Sequence, residues 1–248
     1  MKVENWAEPS EKSLEQMKIS FKSKKVFKII VTIIFFLVLI SSLGQIYQYT
    51  IAKGQGNEII SLIWLSAEKS IPTVYATAQL LLCSCLLAVI AKKKRFDNNR
   101  YRLHWTFLSL IFLYLAVDEG AAIHEVSDKV VRKLLDTQGF WHHAWTIPAI
   151  ILFSLFALAY SKFTLALPRD IRLLFIFAAA TFVFGAVGME LVSGKIFFEQ
   201  DYSSNTPIYA LVATIEEIFE LMGIAIFIYA LLRYLERYIN FNSLLIKF

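Results

Sequence analysis

Six acidic residues lie inside long apolar stretches: Asp118, Glu119, Glu190, Glu216, Glu217 and Glu220, with His124 and Glu125 one turn beyond the first pair. A charged side chain at mid-bilayer costs about 2.5–3.5 kcal/mol on insertion scales, so such groups are expected to bind a cation, exchange a proton or line water. His142 and His143, bracketed by Trp141 and Trp145, stand at the mouth of a further apolar stretch. Carboxylates and imidazoles on facing helices are the donor set of di-iron bundle proteins, and His with carboxylate also suits zinc. A divalent metal, zinc or iron foremost, is the most economical cofactor to expect, because several carboxylates do not stay ionised side by side without a compensating cation. The candidate ligands are Asp118, His124, Glu125, Glu190, Glu216, Glu220, His142 and His143; Glu217 and Glu119 are the candidate bases.

The elements that must carry these residues are helices. The chain is 57% apolar with 18% charged residues, and its mean hydropathy is +0.57. That composition predicts an all-α, polytopic membrane bundle. Six stretches approach or exceed the roughly 20 residues that cross a bilayer as helix. They are Val26–Ile46, Ile71–Ala91, Leu103–Ile123, Ala144–Tyr160, Ile171–Val192 and Pro207–Leu232, the fourth being the shortest and starting as early as Trp141–Trp145. Residues 1–25 form a polar, basic arm without a cleavage site, residues 26–233 the transmembrane domain, and residues 234–248 a tail.

The net charge of +5 does not point to nucleic acid, because the basic residues sit at the segment ends, where they report topology. Eighteen Lys and Arg flank one side of the six stretches and six flank the other. Both termini are therefore expected in the cytoplasm, of a bacterial plasma membrane in the simplest case, with the lipid bilayer as the constant partner. Every unusual polar group then falls in the outer half: Asp118 to Glu125 and Glu190 near outward ends, His142 and His143 at an outer mouth, and Glu216 roughly 14 Å below the surface at about 1.5 Å per residue.

At about 100° per residue, Asp118 and Glu125 are expected within roughly 20° of each other on one continuous helix, and Glu216, Glu217 and Glu220 on one arc of about 100°. Gly185, Ala186 and Gly188 predict a close helix approach below Glu190. Val126, Val130, Val131, Leu134 and Leu135 oppose Asp128, Lys129, Arg132 and Lys133 as in an amphipathic helix lying on the membrane, a lid for the site. His104 beside Trp105 reads as an anchor, and Cys83 and Cys85 as packing with no disulfide framework.

Two families of membrane hydrolase share part of this pattern and neither is matched. Glu216-Glu217 opens like the Glu-Glu-x-x-x-Arg motif of prenyl-protein endopeptidase relatives, but the Arg is missing and no His follows. The three-His zinc site of alkaline ceramidase-type enzymes is missing as well. The residues point first to a metal-dependent enzyme, a hydrolase in the simplest form, acting on a lipid or lipid-linked substrate that arrives through the bilayer. A proton- or cation-coupled transporter using the same carboxylates is the alternative, with Asp118-Glu119 and Glu216-Glu217 as corresponding pairs of an inverted repeat. A scaffold whose acids pair with a partner's basic helix is the third.

Overall fold

A computed structural model describes residues 23–52 and 58–239 of the 248. The basic arm up to residue 22 and the tail beyond 239 lie outside the described residues. Every regular element among them is helical: α1 (Ser23–Thr50), α2 (Glu58–Ile63), α3 (Ile71–Phe96), α4 (Arg102–Ala121), α5 (Ile123–Leu135), a 3-10 turn (Gly139–Trp141), α6 (Thr146–Leu165), α7 (Arg169–Val183), a π-helical turn (Phe184–Met189), α8 (Glu190–Glu199) and α9 (Pro207–Tyr238).

Local chemistry explains where several of these begin. Ser70 Oγ accepts from the Thr73 N–H at 3.2 Å at the head of α3, and Thr206 Oγ1 accepts from the Tyr209 N–H at 3.3 Å at the head of α9. In both helices a proline occupies the first turn, where its missing N–H costs nothing. Helix α7 follows Pro168, which keeps the residue before it out of helical geometry.

Four helical stretches are long and apolar enough to cross a membrane: α1, α3, α6 and the run Arg169–Glu199, in which α7, the π turn and α8 are continuous. The pair α4 and α5 makes a fifth if its 81° bend is one broken span. Helix α9 runs through the middle of the bundle, packed on α1, α3, α7 and α8. Its Leu221, Ala225, Ile228 and Leu231 are all at most 1% exposed. The outside of the bundle is as apolar as the inside: Phe35 and Leu43 on α1 are 60% and 58% exposed, and Leu158 on α6 is 73%. A helix apolar all round needs an apolar surrounding on its outer face, which a bilayer supplies.

The fourth stretch shifts relative to expectation. Trp141 belongs to the 3-10 turn, and α6 runs five residues past Tyr160 to Leu165. The fifth extends beyond Val192 to Glu199. The larger correction concerns Asp118 and Glu125, which do not share a helix. Ala122 adopts the left-handed conformation (φ 51°, ψ 45°), ends α4 and starts α5 in a new direction.

The structure keeps α5 amphipathic and shows which face is inward. Asp128 is its buried residue, whereas Val126, Val130 and Leu134 are 62%, 54% and 76% exposed. Asp128 pairs with Arg132 and accepts the backbone N–H of Trp145 at 3.3 Å, so a carboxylate fastens α5 to the head of α6. Cys83 is buried and Cys85 exposed, both free, as their spacing on one helix requires. His104 stacks on Phe163 at 5.5 Å with Tyr101 and Tyr160 at its edges.

Candidate functional site

The break at Ala122 builds the first half of the site. It folds His124 back toward the last turn of α4, where His124 Nδ1 lies 3.3 Å from Asp118 Oδ2. The other ring nitrogen, Nε2, lies 3.8 Å from Glu68 Oε1, contributed by the segment between α2 and α3. Both nitrogens thus face carboxylates. Burial alone would lower the His124 pKa, but the hydrogen bond to Asp118 and the charges of Asp118, Glu68 and Glu119 outweigh it and push the pKa up to about 9. Burial also pushes the Glu68 carboxyl up, against the pull of His124.

The second half gathers on Glu190, the first residue of α8. Its Oε1 accepts from Trp145 Nε1 at 3.0 Å and lies 3.4 Å from His143 Nδ1. Its carboxyl also interacts with that of Glu216 on α9. Trp145 joins the halves, since its ring is 5.5 Å from that of His124 while its N–H serves Glu190.

Between the halves stand the remaining acids. Glu217 interacts with Glu220, Glu119, Glu68 and Glu190, and Glu220 with Glu119, Glu190 and His124. Their approach depends on glycine. A Cβ on Gly185, in the π turn, would sit 2.9 Å from both the Glu216 carbonyl and Glu220 Cγ. The π turn therefore lies directly on the acidic arc of α9, as the small residues of that segment predict. Gln45 Nε2 donates to Thr214 Oγ1 at 2.8 Å and ties α1 to α9 in the turn before Glu216.

Seven carboxyls, those of Glu68, Asp118, Glu119, Glu190, Glu216, Glu217 and Glu220, thus meet two imidazoles. Among the described residues no Lys or Arg forms a salt bridge with any of the seven. Asp118 Oδ1 and His143 Nε2 are buried without a hydrogen-bond partner. An excess of acid and two orphaned polar atoms are what a cation or protons would compensate. Among the described residues no three His, Cys, Asp or Glu side chains already stand in metal-binding geometry.

The structure separates two residues from this group. His142 is buried against Phe197 and Tyr202, with ring centroids at 4.8 and 5.5 Å. Burial, with Arg132 and His143 nearby, lowers its pKa to about 4. Glu125 is exposed on α5 and reaches the cluster only through its charge, acting on Glu68 and Tyr209. Three contributors had no signal in the apolar pattern: Glu68 sits in a polar connection, Trp145 looks like an interfacial anchor, and Tyr209 is one tyrosine among 11.

Residues 29–235, which include every member of the cluster, match the family described as Domain of unknown function (DUF8692), and the chain belongs to it. No characterised protein matches the chain. No solved structure matches it either.

Proposed function

We propose that this chain is an integral membrane protein with six spans and both termini in the cytoplasm, whose carboxylate–imidazole cluster binds a divalent cation in the outer half of the bundle. The cation serves metal-dependent chemistry, such as hydrolysis, on a lipid or lipid-linked substrate. The observation that carries this reading is the convergence of seven carboxyls and two imidazoles from separate elements, with no salt bridge from Lys or Arg to any of the seven among the described residues. Glu190, with His143 at 3.4 Å and Glu216 and Glu220 interacting with it, would supply donors, and Asp118 offers an unpartnered oxygen. His124, held between Asp118 and Glu68, acts as a fixed positive partner to the acids more than as a ligand. A bound metal would polarise a carbonyl or phosphoryl oxygen and lower the pKa of a coordinated water, while Glu217 or Glu119 moves the proton.

One observation favours a second reading. The pairing of the Glu190 and Glu216 carboxyls, beside Glu217 and Glu220, is an arrangement that a proton relay would use. The test is thermal unfolding of chelator-treated protein in detergent, with Zn²⁺, Fe²⁺ or Mn²⁺ added back. A ligand that binds only the folded state at 100 times its Kd stabilises by about 2.7 kcal/mol. The metal reading expects a saturable rise in Tm that Glu216→Gln abolishes. A protein indifferent to all three metals, whose proton uptake is lost in Glu216→Gln, supports the relay and contradicts the metal.

A further inference from the structure

Helix α5 has a face that the bundle does not use. It leaves α4 at 81°, so where α4 crosses the membrane α5 runs close to the membrane plane. Its 13 residues, roughly 20 Å of helix at about 1.5 Å each, are too few to span a hydrocarbon core of about 30 Å. Left-handed residues bound it on both sides, Ala122 at φ 51° and Asp136 at φ 49°, so its direction is set apart from that of the helices before and after it.

The two faces of α5 are chemically opposite. Inward, His124 meets Asp118 and Glu68, and Asp128 holds Arg132 and the Trp145 N–H. Outward, Ile123, Val126, Val130 and Leu134 are exposed. At about 100° per residue those four fall within an arc of roughly 80°. Lys133 and Lys129 continue round the helix from Val126, roughly 20° and 60° from it at the same spacing. Both lysines are exposed, and among the described residues neither forms a salt bridge. Glu125, the exposed acid within the helix, lies roughly 140° from Val130.

This pattern selects among occupants of the face. The stripe follows directly on the exposed apolar surface of α4, where Leu113 and Val117 stand on the last turns. Water would leave a row of aliphatic side chains uncovered at the end of an apolar helix. A second copy of the chain would bring like-charged lysines together around a contact only 13 residues long. An anionic phospholipid meets both features: its glycerol and upper acyl region takes the stripe, and its headgroup takes the ammoniums. We infer that α5 is an interfacial helix that binds anionic phospholipid through the Val126, Val130 and Leu134 stripe and the Lys129 and Lys133 ammoniums, in the leaflet on the cluster's side. Because the same helix carries His124 and Asp128 inward, its seating also fixes Trp145, whose ring N–H serves Glu190. The lipid contact stands by itself; only its effect on chemistry at the cluster rests on the metal-dependent reading above.

The experiment uses full-length protein with Cys83→Ala and Cys85→Ala in nanodiscs of phosphatidylcholine and phosphatidylglycerol, with a nitrobenzoxadiazole fluorophore on Val130→Cys. A doxyl quencher near the glycerol is carried by one lipid or the other at the same mole fraction. Quenching about threefold stronger from the phosphatidylglycerol quencher is expected, since each lysine at an anionic surface is worth roughly fivefold in affinity. Lys129→Gln with Lys133→Gln, at unchanged Tm, is expected to bring the two quenchers level. Arg100→Gln with Arg102→Gln, at the other end of α4, is expected to leave their ratio as it was. Glu216→Gln is expected to keep the lipid contact while losing the response to metal, so the two claims fail separately. Equal quenching by both lipids, no quenching by either, or a ratio unchanged in the lysine variant would overturn the inference. Cross-linking of Leu134→Cys between two copies in place of quenching would assign the face to a second chain and overturn it as well.

Discussion

Glu190 takes Trp145 and His143 on one carboxylate oxygen, and its neighbours show how adjacent side chains in one sequence separate by environment. His143 meets its carboxylate, while His142, one residue earlier, turns into an aromatic nest with Phe197 and Tyr202. That difference is measurable as a pH dependence. In the unfolded chain His142 titrates near 6.5, and in the folded protein at about 4. Between those values the unfolded chain binds a proton that the folded one refuses, so His142's contribution is full above pH 6.5 and lost as pH falls toward 4. His142→Phe, which suits the nest, is expected to remove about 1–3 kcal/mol of acid destabilisation over that window, read by denaturation at stepped pH. An unchanged slope would contradict the assignment. The six acids within apolar stretches were legible in the sequence because a carboxylate there carries a cost that demands an explanation. Glu68 and Trp145 were not, because a glutamate in a polar connection and a tryptophan near a helix end are ordinary in those places.

The elements were legible to the extent that their ends carry chemical signals. Thr206-Pro207 marks the start of α9, and Ser70 with Pro72 the start of α3. The break at Ala122 has no such signal, since neither Gly nor Pro stands there. A left-handed non-glycine residue costs roughly 1–2 kcal/mol, and the contacts that offset it, His124 with Asp118 and Glu68, are tertiary. Periodicity assumes a continuous helix and therefore put Asp118 and Glu125 on one face. The close approach at the π turn was legible, because small residues at helical spacing have few other uses. The same close packing recurs at Gly223, where a Cβ would lie 2.7 Å from Phe182 Cβ and N. Gly223→Ala is expected to cost about 1–3 kcal/mol by forcing α7 off α9. At Gly44 an added Cβ meets the movable Ile63 Cδ1 at 3.3 Å. Gly44→Ala is expected to cost less, and equal losses of Tm in detergent would contradict this account of the packing.

Across the whole molecule, chemistry is divided between the ends of the bundle. The acidic cluster occupies one end. At the other, Asp170 accepts from Arg237 at 2.9 Å and Arg233 at 3.3 Å, and Glu236 accepts the Ser23 hydroxyl at 2.7 Å, tying α7 and α1 to the end of α9. That asymmetry matches the bias of Lys and Arg along the chain and underlies the proposed orientation. In a background with Cys83 and Cys85 replaced by Ala, Glu199→Cys is expected to react with an impermeant maleimide in intact cells, and Arg100→Cys only after permeabilisation. The opposite pattern would reverse the topology and place the cluster in the inner half. The central claim concerns the cluster itself, and the most direct measurement is elemental analysis of detergent-purified protein beside Glu216→Gln and Asp118→Asn. The account expects about one divalent metal per chain in the wild type and its loss in both variants, although the two residues lie on different helices. A metal-free wild type, or full metal content in both variants, would contradict it.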